Sequence, residues 1–348
     1  MTFSAAIRQD HLPALTGLRA LFVAVVVAYH AGVPVPAGIG VTGFFVLSGF
    51  LITTLLLKEF DRTGEVSLVD FYRRRTLRIF PAYYAFLGLS IGADLALGND
   101  SATAVIVPGI LYFVNYHNAF HGHDSSIAHA WSLAIEEQFY LIWPLVFMWL
   151  GRKHRRAMPW ILGAFILAIM CWRSFAVGLF GSSYAYNAFD TRCDSLAVGC
   201  LLAVLAPRLD VVAAKVARVW LIPPVLLLIW LSNLGAVRYT FGFTLCSIML
   251  GVLIMQAMTL HKSNALSWLE SRPVTYIGSI SYGIYLYHMF GLSVGHALFD
   301  GSFAIATGIV AMLSMAVASY HLYEKPLMAL GKRAPKLSVG MTVPAQSR

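Results

Sequence analysis

Charge is scarce in this chain. Asp, Glu, Lys and Arg make up only 12% of its 348 residues, 59% are hydrophobic, and the mean hydropathy is +0.72. Soluble globular domains carry roughly 25% charged residues, so the composition excludes a water-soluble globule and points to a polytopic membrane protein. Cysteine is also sparse. Cys171, Cys193, Cys200 and Cys246 lie in or beside apolar segments at no metal-binding or redox spacing, and are expected to be packing residues. No cleavable secretory leader is expected either, because the first apolar segment has no short apolar core followed by a small-residue cleavage site. Acidic residues number 16 against 25 basic ones, a net charge of +9. Such an excess suits nucleic acid, but the placement of the charges explains it otherwise.

Apolar spans are expected at 12–33, 39–57, 79–97, 131–150, 159–178, 193–206, 219–236, 241–259, 274–298 and 303–323. Ten crossings return both termini to one side. If that side is the cytoplasm, it receives 21 of the basic residues, the outside receives only Arg192 and Arg238, and Arg19 and Arg173 fall within spans. The positive-inside rule accounts for that bias without any nucleic acid. Counting the short apolar segment 105–118 as a crossing would put the GRKHRR run at 151–156 outside, so it is read as re-entrant or interfacial. The span at 193–206 is short and is kept mainly for parity. No internal repeat supports an inverted-repeat transporter. The expected architecture is therefore all-α, a polytopic helical bundle of about ten transmembrane helices. It divides into a membrane domain at 11–326 and a basic cytoplasmic tail at 327–348, disordered from about Gly331.

Within the first span, LPALTGLRALFVAVVVAYHAGV, Arg19 and His30 are eleven positions apart. That is three turns plus about 20°, so both face the same way, separated by a rise of about 16 Å. Ionisable groups inside a membrane are expensive, which marks the pair as functional; the plainer reading is a snorkelling arginine and an interfacial histidine. The cytoplasmic stretch FYRRRTLRIFPAYY sets Arg74, Arg75 and Arg78 at helical spacing. Guanidiniums so placed suit a phosphorylated ligand through forked hydrogen bonds, or anionic lipid headgroups. Gly38, Gly40, Gly43 and Gly49 in the second span permit close helix approach or local unwinding. In WSLAIEEQFYLIWPL, Glu136, Tyr140 and Trp143 share one face and Pro144 is expected to kink the helix. Glu136 and Glu137 are the only carboxylates near the expected depth of His30. One of them would orient the imidazole as a general base; otherwise both cap the helix N-terminus. His117, His121, His123, Asp124 and His129 carry zinc-ligand chemistry, but their spacing matches no established site and a solvated loop is preferred. Arg192 with Asp194, then Ser281, Tyr282, Tyr285 and His288, and finally Glu324 with Lys325 at the cytoplasmic face, read as interhelical polar contacts.

The segments LPALTGLRALFVAVVVAYH, GVTGFFVLSGFLI, FYRRRTLRIFPAYY, WSLAIEEQFYLIWP, TRCDSLAVGCLLA, ISYGIYLYH and YEKP occur in the order seen in the acyltransferase-3 family of integral membrane acyltransferases. The chain resembles that family from about residue 11 to 326. The resemblance implies O-acylation, foremost O-acetylation, of surface or secreted carbohydrate. It also implies that Arg19 and His30 match the family's functional arginine and catalytic histidine. Arg75 and Arg78 match its RxxR pair associated with acyl-coenzyme A, and Glu136 belongs to its EEQFY motif. One departure stands out: many members carry aspartate in a GVDxFF motif where this chain has Thr42.

Together these readings predict an integral protein of a bacterial cytoplasmic membrane with no permanently bound cofactor and no metal. Its donor would be acyl-CoA, acetyl-CoA first, and its acceptor a carbohydrate or glycolipid hydroxyl. Catalysis is assigned to His30 and Glu136, and binding to Arg19, Arg74, Arg75, Arg78, Glu137, Tyr140, Ser281, Tyr282 and His288. Neutral imidazole is required, so activity should fall below the ring's pKa, about 6.5 if unperturbed. The transfer runs either directly or through an acyl-histidine. A transporter for an anionic metabolite with His30 as proton relay is the rival reading, and an inactive binding partner in surface-polymer assembly a third. Acceptor identity, acyl length and oligomeric state stay open.

Overall fold

A backbone in lipid must satisfy its own polar groups, and long apolar runs without strand alternation do so as helices. In this computed structural model residues 2–333 are described, apart from 10–11, 37, 217–220, 261–262 and 264, and no strand occurs among them. The order is α1 (Phe3–Ile7), α2 (Pro13–His30), α3 (Gly38–Thr63), α4 (Leu68–Ala96), α5 (Ile106–Ile110), α6 (Val114–His121), α7 (Trp131–Lys153) and α8 (Met158–Asn187). There follow α9 (Phe189–Val216), α10 (Ile222–Leu231), α11 (Gly235–Val237), α12 (Phe243–Leu260), α13 (Arg272–Ser279), α14 (Ser281–Leu298), α15 (Gly301–Ser319) and α16 (Lys325–Arg333). One-turn π-helical segments at Arg238–Gly242 and Tyr320–Glu324 lead into α12 and α16.

Eight stretches among the described residues are long and apolar enough to cross a membrane, so the chain is a polytopic helical membrane bundle. Two of the ten expected spans lie outside that set. The 219–236 span contains α10, ten residues and about 15 Å long. The 274–298 span is broken at Ile280 into α13 and α14, and α14 buries Ser281, Tyr285, Tyr287 and His288, which dilutes its apolar signal. The 193–206 span, by contrast, is part of a helix of 28 residues that runs straight through Pro207. Segment 105–118 falls into the short pieces α5 and α6, neither long enough to cross. Arg152 meets Glu65 at 2.8 Å and Arg155 meets Asp61 at 2.5 Å, so the two basic loops share a face as the charge bias requires. The described ends lie there too: α1 bonds Asp210 of α9 through Ser4 at 2.6 Å, and α16 seats Gly331 against Leu77 and Arg74. Helix α16 runs into the stretch assigned to the tail; residues 334–348 lie outside the described residues.

Small residues set the closest approaches. A Cβ on Gly49 would overlap the Leu196 carbonyl of α9, and one on Gly199 would overlap the Val46 carbonyl of α3, so these helices meet backbone to backbone. Gly40 and Gly43 admit α2 in the same way, against Phe22 and Val26, and α3 stays helical throughout rather than unwinding. On the other side Gly291 and Gly295 of α14 let α15 approach at Gly308.

Arg173 of α8 is fully buried among these helices and paired with Asp194 at 2.9 Å. It also donates to Thr244 Oγ1 at 2.5 Å and to the Thr191 and Thr240 carbonyls at 2.7 and 2.8 Å. Every guanidinium nitrogen thus has a partner, which is the condition for a buried pair to be tolerated. We expect Arg173→Met to lower the stability of detergent-solubilised protein by roughly 3–5 kcal/mol, because Asp194 is left uncompensated. The double replacement Arg173→Met with Asp194→Leu should recover most of that loss in the same thermal-unfolding assay.

Candidate active site

Helix α2 stops where it does because Gly32 takes a left-handed conformation (φ +88°) and the Val33 amide donates back to the Ala28 carbonyl at 2.9 Å. His30 therefore occupies the last turn, its ring exposed at the outer end of the helix. Its Nδ1 lies 2.9 Å from the Val26 carbonyl and 3.2 Å from Nε2 of His288. The Nδ1 of His288 lies 2.7 Å from the Tyr285 carbonyl, an acceptor only. His288 must then carry its proton on Nδ1 and accept on Nε2, so His30 donates from Nδ1 and its Nε2 holds a lone pair. Behind them His129 packs its ring 4.8 Å from that of His288, with Nε2 on the Leu286 carbonyl at 3.0 Å. The Tyr285 hydroxyl donates to the His129 carbonyl at 2.8 Å and meets Ser132 Oγ at 2.6 Å, tying α14 to the start of α7.

Deeper along α2 lies a second polar group. Arg19, Arg75, Arg78 and Glu324 lie within electrostatic range of one another, with Glu136 facing Arg19 and Arg75. Arg19, Arg75 and Arg78 are only half-buried and make no hydrogen bond or ion pair among the described residues. Guanidiniums at that depth whose N–H groups stay unpaired keep donors that a ligand could use. Arg75 lies 4.0 Å over the ring of Tyr140, and Glu136 accepts from Ser48 at 3.1 Å and from the Tyr140 hydroxyl at 3.4 Å. Trp143, on the same face of α7, donates to Thr53 at 2.9 Å. A turn from the outer segment reaches toward this cluster. Tyr83 and Tyr84 donate to the Gly109 and Ile110 carbonyls at 2.9 and 3.0 Å, and Tyr112 (φ +56°) stacks 4.2 Å from Tyr83, within range of Glu137 and Tyr282. Burial pushes the Tyr112 phenol above its usual range, so it stays a donor, and its buried hydroxyl has no partner.

Several expectations change. The carboxylate expected on His30 is absent: its ring partner is His288, and Glu136 instead faces the arginines, because Ser48 and Tyr140 turn it toward α3. Glu136 and Glu137 lie beyond the first turn of α7 and do not cap it, and α7 continues as helix through Pro144. Of the basic cluster, Arg75 and Arg78 point inward, whereas Arg74 is exposed and faces Glu59 at 3.8 Å, and Arg73 pairs with Asp70 at 2.9 Å. Tyr282 donates to the Ile79 carbonyl at 3.0 Å, and Ser281 is buried with an unpartnered hydroxyl. Glu324 is buried rather than at the cytoplasmic surface, since the π-helical turn rotates it inward onto Ser319. The outer histidines are not a freely solvated loop. His129 joins the site and His123 bonds Asn187 at 2.9 Å, where burial lowers its pKa. No group of residues among those described could hold a metal ion. The sequence points to His129 only as a zinc-type residue of the outer loop and to Tyr285 and Glu324 only as interhelical contacts, and nothing but the polar character of its motif marks Ser48.

A family model described as an acyltransferase domain matches residues 12–324. An inferred O-acetyltransferase of Staphylococcus aureus is 32% identical over 94% of this chain and 59% of its own length. The Listeria monocytogenes peptidoglycan O-acetyltransferase OatA is 33% identical over 80% of this chain and 49% of its own. The inferred peptidoglycan O-acetyltransferase YrhL of Bacillus subtilis is 30% identical over 93% and 56%. The chain thus spans between about half and three-fifths of the length of these curated relatives, and no solved structure matches it. With its membrane-spanning helices and bacterial relatives, it is an integral protein of the bacterial cytoplasmic membrane. From the start of α2 to Glu324, the chain belongs to the acyltransferase-3 family.

Proposed function

We propose that the chain transfers an acyl group, foremost acetyl, from cytoplasmic acyl-CoA to a carbohydrate hydroxyl presented from the outer side. The observation that carries this reading is the free Nε2 of His30, fixed by the Val26 and His288 contacts at Nδ1. It sits on the same helix as Arg19, which clusters with Arg75 and Arg78. Phosphates of the donor bind Arg75 and Arg78, whose N–H groups are open, and Arg19 continues the positive track inward. Glu136 and Tyr140 hold Arg75 and Arg19 in place, with Glu324 as a further counter-charge for Arg78.

At the outer end the acceptor hydroxyl gives its proton to His30 Nε2 as its oxygen bonds the thioester carbonyl carbon. The carbon–sulfur bond breaks, and the imidazolium returns the proton to the departing thiolate. The developing imidazolium is stabilised through Nδ1 by the His288 ring and the Val26 carbonyl, the part that a carboxylate plays in the Ser-His-Asp arrangement. Relatives named as peptidoglycan O-acetyltransferases support a glycan acceptor.

His30→Ala should abolish transfer by purified protein, with loss of at least about 100-fold for removal of a general base, while leaving donor binding intact. Transfer by the wild type should fall on acidification, since a protonated ring has no lone pair to offer. Arg75→Ala with Arg78→Ala should weaken CoA binding by at least about tenfold, that is 1.4 kcal/mol or more; unchanged binding by calorimetry would remove the docking role. Labelled acyl group trapped on wild-type protein without acceptor, and lost in His30→Ala, would replace direct transfer with an acyl-histidine route.

A further inference from the structure

The outer ends of α3, α9 and α12 hold a second pair of arginines that the proposed chemistry does not use. Arg192 is fully buried, and its only hydrogen bond among the described residues runs from one terminal nitrogen to Thr42 Oγ1 at 3.0 Å. Its Nε and other terminal nitrogen are sealed from solvent and unpartnered. Arg238 is half-buried in front of it, with its own Nε unpartnered, and both guanidiniums lie over the ring of Phe243, at 3.6 and 5.6 Å. No carboxylate comes within 4 Å of either among the described residues. Asp194 is in electrostatic range of Arg192; its Oδ2 is taken by Arg173 and Thr244 and its buried Oδ1 bonds neither guanidinium, so one carboxylate stands against Arg173, Arg192 and Arg238, and Thr42 supplies a hydroxyl with no charge.

Two cations that share a wall with no carboxylate bonded to either, and only the already paired Asp194 in range, are costly, and the contrast with Arg173, every nitrogen of which is satisfied, shows that the same bundle can do otherwise. The surroundings suit a sugar. Tyr186 and Tyr239 flank Arg238 at 5.0 and 5.4 Å, and Trp131 lies 4.7 Å from Tyr186. The layer joins the His30 site twice. Tyr186 is in range of Tyr29, whose ring meets His30 at 5.1 Å, and Trp131 is followed by Ser132, which bonds Tyr285.

We propose that Arg192 and Arg238 form an oxyanion subsite that takes a carboxylate or phosphate carried by the acceptor sugar. This rests on the acyl-transfer reading for the identity of the acceptor, but its test does not require transfer. The ligand's anionic oxygens meet the half-buried Arg238 and supply the charge that the sealed N–H groups of Arg192 behind it lack, its ring lies against Tyr186 and Tyr239, and a neighbouring hydroxyl is thereby held toward His30.

The experiment measures the melting temperature of the purified full chain in detergent, at constant ionic strength, titrated with glucuronate, glucose 6-phosphate or glucose. Glucuronate or glucose 6-phosphate should raise it saturably and glucose should not, and whichever acts identifies the group recognised. Arg238→Gln should weaken the apparent affinity by about tenfold or more. Thr42→Asp, which places a carboxylate on Arg192, should raise the melting temperature and remove the response. The proposal is overturned if neither anionic sugar exceeds glucose, or if Arg238→Gln responds as the wild type does. Transfer assayed separately with His30→Ala decides the acyl-transfer reading whatever these titrations show.

Discussion

An imidazole has two nitrogens, and in this molecule the chain engages Nδ1 of His30 and leaves Nε2 without a hydrogen bond among the described residues, which is what the proposed reaction needs. The arrangement starts from a backbone carbonyl, that of Tyr285, which can only accept and so fixes the proton of His288 on Nδ1. Everything outward of that follows by necessity: His288 accepts, His30 donates, and the remaining lone pair is on His30 Nε2. A histidine partner differs from a carboxylate partner in carrying no charge, which matters where the surrounding medium is hydrocarbon. A carboxylate beside His30 would itself need compensation at the outer end of α2, whereas a neutral ring orients the base at no electrostatic cost.

The arginines show the same economy in three versions. Arg173 is sealed and fully paired, so it holds α8, α9 and α12 together and has nothing left to offer a ligand. Arg19, Arg75 and Arg78 are open, with Glu136 and Glu324 near enough to make their burial tolerable without occupying their N–H groups. Arg192 is sealed and largely unpaired. Burial alone therefore does not distinguish the cations of this bundle; the state of their hydrogen bonds does, and it is the unpaired ones to which the proposals assign ligands.

Much of this was legible in the chain because it is local. The apolar runs, the side to which each basic loop belongs and the shared face of Arg19 and His30 are all set within one helix or one loop. What was not legible depends on distant segments meeting. His129 and His288 are separated by nearly half of the chain and meet because Ser132 and Tyr285 join α7 to α14. The inward turn of Arg75 and the outward turn of Arg74 are decided by Tyr140 on one side and Glu59 on the other. Glu324 was misplaced because a π-helical turn adds a residue to the register, which no periodicity of 3.6 reveals. Glu136 was correctly placed on the polar face of α7 and wrongly paired, since a face does not name the helix that it meets.

The spacing along α2 then constrains the donor that the proposed reaction can use. Arg19 and His30 are separated by a rise of about 16 Å on a straight helix, and the side chains between them on that helix are aliphatic or aromatic apart from Tyr29. A ligand held at both ends needs an anionic head that stays with the inner arginines and a reactive carbonyl at the far end of an extended arm. A free short-chain acid or an acyl phosphate is too short to meet Arg78 and His30 together; an acyl group on a long phosphorylated carrier is not. In the proposed reaction the helix thus acts as a ruler, setting the donor's anionic head and its reactive carbonyl about 16 Å apart, with His30 in the last turn before α2 stops at Gly32.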